Sequence, residues 1–248
     1  MQVVVLASGS KGNVTYIENE GTRILIDIGK SCSYIEKELN EIGVDPKTID
    51  AVLITHTHTD HTKGLKTFYK KYKPVIYVMP KMMIALTELL EEFKYHYFDD
   101  ETTIGSFNVK IIKTSHDSLD SVGFLINDSI VYITDTGYIN ERYIETLQNK
   151  IIYIMESNHD IEMLYNGSYP YHLKKRIASD MGHLSNEAAS LYLSKLVGKK
   201  TKHIVLAHLS EENNTKEIAF ETLQKSISKK DIDITIAKQD ERTQVIEV

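Results

Sequence analysis

The sequence has little to reinforce it covalently. Its one cysteine, Cys32, permits no internal disulfide, so the fold has to be held by a packed core, as is usual in a reducing compartment. Apolar runs are short, and none approaches the roughly 20 residues that a membrane-spanning helix needs. That excludes a helical integral membrane protein. The opening Met1-Gln2-Val3-Val4-Val5-Leu6 lacks the basic start of a secretion signal and reads as a first strand. Together these absences lead to the expectation of a soluble, cytoplasmic protein. Proline is scarce, at 4 residues, and no repeat, low-complexity segment or linker breaks the chain. Residues 1–248 are therefore expected to form one domain, of a size that buries roughly 70% of its unfolded surface. Positive charge is also in deficit, with a formal net charge of -6, which excludes a protein that coats itself in nucleic acid by bulk attraction. A local basic groove stays open, with Lys174-Lys175-Arg176 and Lys199-Lys200-Thr201-Lys202-His203 as candidates, although short lysine runs equally suit solvated helix ends.

What is present is an alternation of apolar strands and amphipathic helices. Residues 3–6, 14–18 and 23–27 read as a β meander joined by turn-rich segments. Residues 31–43 carry apolar side chains at helical spacing, and 51–54 is a short buried strand. A capped helix is expected over 61–72, a strand over 75–79 and a helix over 80–93, where Pro80 suits a first turn. Strands are expected again at 95–98, 107–114, 122–127, 130–134 and 151–155, with a helix at 140–150 between the last two. A helix capped by Ser185 follows over 185–196, then a strand at 203–207, a helix at 215–227 and strands at 232–237 and 243–248. Strands followed by mixed helices, twice over, suggest an α/β (α+β) protein with two sheets face to face and helices outside.

The stretch around which the rest is organised is Ala51-Val52-Leu53-Ile54-Thr55-His56-Thr57-His58-Thr59-Asp60-His61, an apolar strand that stops in three imidazoles and a carboxylate. So many donors in so short a span crowd a single ion but suit two ions a few Å apart, as two-metal hydrolases require. His56-Thr57-His58-Thr59-Asp60-His61 resembles the H-x-H-x-D-H motif of the metallo-β-lactamase fold superfamily, and Leu25-Ile26-Asp27-Ile28-Gly29 resembles its first aspartate element. The resemblance implies a four-layer αββα sandwich.

On that resemblance, His116, at the end of a strand over 110–113, becomes the third imidazole of one metal beside His56 and His58. Asp135, in Thr134-Asp135-Thr136-Gly137, corresponds to the carboxylate shared by both ions. His208, after Ile204-Val205-Leu206-Ala207, completes the second metal with Asp60, His61 and Asp135. Without the resemblance His116 reads as a surface residue and Asp135 as a turn former. Asp27 is expected to orient a ligating histidine rather than to bind metal. Gly182-His183-Leu184-Ser185 resembles an element of the superfamily's phosphodiesterase branches, which implies His183 as general acid toward the departing oxygen, with Asp60 as the catalytic carboxylate.

The resemblance narrows to the YycJ (WalJ) type. It rests on Ser8-Gly9-Ser10-Lys11-Gly12-Asn13, on Glu156-Ser157-Asn158-His159-Asp160 with Met163-Leu164, on Tyr169-Pro170 with Leu173-Lys174 and Arg176, and on His208-Leu209-Ser210 with Asn213-Asn214. Lys11 and Met181 depart from the usual small residue and threonine. The subgroup implies a metal-dependent DNA exonuclease using two divalent ions (Zn2+, Mn2+ or Fe2+), with Asn158, His159, Lys174 and Arg176 lining the substrate groove. Ordinary polar surface explains those four equally well. The expected partner is a nucleic acid, DNA favoured, with no membrane and a homodimer left open. Two rival readings stand: a cyclic-phosphodiester, thioester or lactone hydrolase on the same site, and a non-catalytic metal-bound signalling module. The donors do not select the metal.

Overall fold

In the computed structural model, which describes residues 1–90, 93–227 and 231–248, parallel strands bring the chemistry-bearing residues together. The elements run β1 (Gln2–Ala7), β2 (Val14–Asn19), β3 (Thr22–Ile26), α1 (Cys32–Glu41), β4 (Ala51–Leu53), α2 (Thr59–Thr62), α3 (Leu65–Tyr72), β5 (Val75–Val78), α4 (Met83–Leu90), β6 (Tyr95–Tyr97), β7 (Glu101–Ile104) and β8 (Phe107–Lys113). There follow β9 (Val122–Ile126), β10 (Ile130–Ile133), α5 (Ile144–Leu147), β11 (Ile152–Glu156), α6 (Ile161–Asn166), α7 (Tyr171–Ile177), α8 (Asn186–Leu196), β12 (His203–Ala207), α9 (Lys216–Ser226), β13 (Asp233–Ile236) and β14 (Ile246–Glu247).

The chain divides into two compact units, one of residues 1–111, 118–121 and 238–248, the other of 112–117 and 122–237. In the first unit a seven-stranded sheet has the order β14-β1-β2-β3-β4-β5-β6. Its β1, β2 and β3 form the expected antiparallel meander. From β3 onward, pairing turns parallel, first with β4 and then from β4 to β5, because helical crossovers return the chain to the same edge. Parallel neighbours end on the same side. Asp27, just past β3, therefore sits beside the loop after β4, and its N–H donates to the Leu53 carbonyl at 2.8 Å.

The second unit repeats the arrangement with β13-β12-β11-β10-β9. β9 and β10 pair antiparallel, whereas β10–β11, β11–β12 and β12–β13 are parallel. The ends of β10, β11 and β12 thus converge as well. Tyr153, Met155 and Leu206 bury one side of this sheet against Leu193, Leu196 and Leu223 from α8 and α9, and all six side chains are at most 1% exposed.

Differences from the sequence-based expectations have local causes. The helix expected over 61–72 is broken into α2 and α3, because Gly64 donates its N–H to the Ile28 carbonyl at 2.8 Å. A Cβ on Gly64 would lie 2.0 Å from the Lys30 carbonyl oxygen. The helix expected over 140–150 stops at Leu147, since Gln148 is extended and Asn149 takes a left-handed φ of 57°. Residues 80–93 begin as a 3-10 turn at Pro80–Met82 before α4, and 91–92 of that expectation lie outside the described residues. Strand β7 and helices α6 and α7, which patterning does not reveal, are short elements bounded by turn formers.

Candidate metal centre

The first unit supplies one group of donors. Asp27 has φ 60°, a left-handed conformation uncommon for aspartate, and is fully buried. That turn aims its carboxylate at the loop after β4. Its Oδ1 accepts the Thr55 N–H at 2.8 Å, and its Oδ2 accepts the Thr55 hydroxyl at 2.8 Å and the His61 Nδ1–H at 2.7 Å. Burial pushes the Asp27 carboxyl above the usual carboxylate range, and the His61 and Thr55 interactions offset this only in part. With Nδ1 carrying the proton, His61 keeps a lone pair on Nε2. Asn13 donates its amide to that nitrogen at 3.0 Å, and the Asp60 Oδ2 lies 3.4 Å away. The rings of His58 and His61 have centroids 4.7 and 4.0 Å from that of His56, whose Nδ1 is 3.1 Å from the Thr55 hydroxyl.

The Ser8 to Asn13 loop props up this group. Asn13 donates its N–H to the Asp60 carbonyl at 2.8 Å and accepts the Gly29 N–H at 2.9 Å. Gly29 packs so closely that a Cβ there would meet the Asp60 carbonyl oxygen at 1.7 Å. Asp60 also stands in the first turn of α2, the end of a helix that favours negative charge.

The second unit supplies the other group. Asp135 and His208, past the ends of β10 and β12, both have φ 55°, so three strand ends use the same strained turn to present a functional side chain. Between them, Glu156 ends β11 and is fully buried. Its Oε2 accepts the N–H groups of Thr136 at 3.0 Å and Leu184 at 3.1 Å. Its Oε1 accepts Nδ1–H of His183 at 2.7 Å and of His208 at 2.8 Å. Burial alone pushes this carboxyl up, but the His183 charge and the hydrogen bonds from both imidazoles hold it below the usual carboxylate range. His116 donates Nδ1–H to the Gly182 carbonyl at 3.0 Å, and burial pushes its imidazole below the usual histidine range. Ligand atoms of Asp135, Glu156, His183 and His208 all lie within 4.8 Å of one another.

The residue types in both groups are those that ligate divalent cations. Carboxylates or carbonyls hold the Nδ1–H of His61, His208 and His116, which fixes the tautomer and turns the basic Nε2 outward, as metal-ligating histidines require. Imidazole with carboxylate suits Zn2+, Mn2+ or Fe2+. Glu156 is the functional residue that the sequence-based expectations miss. Its partners His183 and His208 lie 27 and 52 residues away along the chain, so no local pattern marks it.

The four residues expected to line a groove all have internal partners or places. Asn158 is buried and donates its amide to the His208 carbonyl at 2.9 Å. His159 is 2% exposed, and burial pushes its imidazole down to about 4. The Lys174 ammonium donates to the carbonyls of Tyr165 and Gly167 at 2.8 and 2.7 Å, and Arg176 pairs with Asp117. The thiol of Cys32 is buried and pushed up to about 12. Among the described residues, no helix is long and apolar enough to cross a membrane.

Known proteins resemble this chain in sequence and in fold. The exodeoxyribonuclease WalJ of Streptococcus pneumoniae is 37% identical over 94% of this chain and 90% of its own. The exodeoxyribonuclease YycJ of Bacillus anthracis is 35% identical over 91% of this chain and 89% of its own. Among solved structures, the metallo-beta-lactamase fold protein YhfI of Bacillus subtilis matches with a TM-score of 0.74 at 17% identity, covering 98% of this chain and 99% of that one. That likeness gives the fold as an α/β sandwich of two mixed sheets flanked by helices. A family model matches residues 7–208, and the chain belongs to the metallo-beta-lactamase superfamily.

Proposed function

We propose that the protein is a metal-dependent exonuclease that hydrolyses DNA phosphodiester bonds. The observation that carries the reading is the pair of buried carboxylates, Asp27 and Glu156, each closing a parallel strand and each holding Nδ1–H of candidate ligand imidazoles. Identity of 37% to a protein named an exodeoxyribonuclease, over 94% of the chain, supplies the substrate class. His56, His58, Asp60 and His61 of the first unit and His116, Asp135 and His208 of the second are proposed as ligands of two divalent ions. When bound, the cations would activate water and neutralise the phosphate.

The chain's own groups do the rest. Asp27 and Glu156 keep imidazole protons on Nδ1. Asn13 steadies His61 and the Asp60 carbonyl. His183, half-buried and held through Nδ1 by Glu156, has Nε2 available to deliver a proton to the leaving oxygen. Residues 1–248 are proposed to act as one functional domain, since the family model spans parts of both units. A cytoplasmic location belongs to the same reading.

The test is hydrolysis of end-labelled duplex DNA, single-stranded DNA, RNA and a small phosphodiester, with Mn2+ or Zn2+ and with a chelator. Metal-dependent shortening of DNA from one end is the expected result. Cleavage of the small diester alone would move the assignment to a small-molecule phosphodiesterase, and inactivity with metals bound would overturn it.

A further inference from the structure

In a protein of net charge -6, the stretch from His61 to Thr87 contains six lysines and no aspartate or glutamate. Five of the six, Lys63, Lys66, Lys70, Lys71 and Lys73, lie on or beside α3, and all five are exposed. The buried face of the same helix is Leu65, Phe68 and Tyr69, so packing consigns the lysines to one outward side. Lys66 and Lys70 are one turn apart on α3, Lys63 lies just before the helix and Lys73 at its C-cap. Lys71 pairs with Glu36 at 2.9 Å. Among the described residues the ammonium groups of the other four have no carboxylate partner.

Helix stability accounts for only part of this row. Lys70, Lys71 and Lys73 sit at the C-terminal end of α3 and Lys63 caps the C-terminus of α2, where helix dipoles favour cations, but Lys66 sits in the first turn of α3, where the dipole disfavours it. Like charges three and four residues apart also repel. The mutual repulsion of these lysines and the position of Lys66 are better explained by an external anion. Beside it, Ser31, Ser33, Glu36, Lys63, Thr67 and Lys71 line a depression of about 450 Å³, which adds three hydroxyl donors to two of the lysines and has one carboxylate, already engaged by Lys71.

The row is joined directly to the candidate donors. α2, which carries Asp60 and His61, ends at Thr62, and α3 begins at Leu65. Gly64 is anchored to Ile28, one residue from Asp27, so the start of α3 is fixed to the strand end that holds His61. Eight helical residues rise about 12 Å, a length over which duplex DNA displays about seven phosphate charges.

We infer that the lysine row of α3, with the adjoining hydroxyl-lined depression, is the surface that binds the sugar-phosphate backbone of the DNA duplex and delivers it to the metal donors. The inference rests on the nuclease reading and adds to it where the substrate is held. Lys174 and Arg176, the basic residues singled out from sequence, are engaged within the chain, whereas this row is available to phosphates.

The test measures the affinity of the metal-loaded protein for a fluorescent duplex with hydrolysis-resistant phosphorothioate ends, as a function of salt. In the variant Lys63→Gln/Lys66→Gln/Lys70→Gln, the slope of log affinity against log salt should fall by about 0.9 for each phosphate that the protein no longer neutralises, and affinity at low salt should drop about tenfold or more. The charge-matched variant Lys195→Gln/Lys216→Gln/Lys225→Gln, altered on α8 and α9, should keep the wild-type slope. Metal content and melting temperature confirm that both variants are folded. Equal losses in the two variants would reduce the effect to bulk charge and overturn the inference. An unchanged slope in the α3 variant of a protein that still degrades duplex DNA would sink the inference alone. A wild type that neither binds nor degrades DNA but binds anionic phospholipid vesicles would sink the nuclease reading and this occupant together.

Discussion

Asp27 and Glu156 are both fully buried carboxylates that close a parallel strand, yet their environments drive them in opposite directions. Asp27 faces one imidazole and two donors of Thr55, and burial wins, raising its pKa. Glu156 faces two imidazoles and two backbone N–H groups, and the accumulated hydrogen bonds and charge win over burial. A buried anion is tolerated in proportion to the donors that surround it. Asp27 is accordingly a support for one histidine, whereas Glu156 ties together the ends of β10 and β12 and the Gly182-His183-Leu184 segment.

The largest expected effect is at Glu156. Glu156→Gln keeps the shape but cannot accept from all four donors, so it disturbs His183 and His208 together. Losing one such support costs about 10–100-fold in metal affinity or activity, and two compounded give a loss on the order of 10³, read as metal content and DNA hydrolysis. Asp27→Asn should stay within the single-support range of about 10–100-fold. Equal losses in the two variants would break the comparison.

His183→Ala separates support from chemistry. It should leave metal content at the wild-type level while turnover falls about 10²–10⁴-fold, the usual worth of a general acid. Metal loss as large as in His208→Ala would make His183 a ligand instead. A smaller effect belongs to Gly29→Ala. The added methyl would collide with the Asp60 carbonyl and should cost about 1–3 kcal/mol, typical of overpacking, seen as a lower melting temperature together with weaker metal binding.

The smallest effect is electrostatic. His159 is held neutral by burial, its pKa pushed from 6.5 to about 4. The unfolded chain therefore takes up a proton before the native state does, so this contribution is complete above pH 6.5 and is lost progressively as pH falls toward 4. Urea unfolding of the metal-free protein should show His159→Gln flattening the stability curve in that window, and an unflattened curve would assign the dependence to other groups.

Much of this organisation was legible along the chain. Patterning gave the meander of β1 to β3, a helix within 31–43, the Ser185 cap of α8, and β12 over His203–Ala207. These rest on periodicity and capping, which need only near neighbours. The resemblance drew attention to Asp27. It gave Glu156 no role, because nothing within a few residues of a glutamate reveals that His183 and His208, 27 and 52 positions away, will share its oxygens. Asn158, Lys174 and Arg176 illustrate the same limit. Their side chains read equally as groove lining or as ordinary polar surface, and each is engaged by a partner that the fold supplies.

By itself the sequence determined which donors exist and that each follows an apolar strand, because ligand chemistry and strand periodicity are properties of residues and their immediate order. Tertiary structure decided which imidazoles have a partner on Nδ1, which buried carboxyl is held below the usual range and which is pushed above it, and which lysines are left exposed. Those outcomes depend on parallel pairing that aligns strand ends distant in sequence, and on burial that no local pattern encodes.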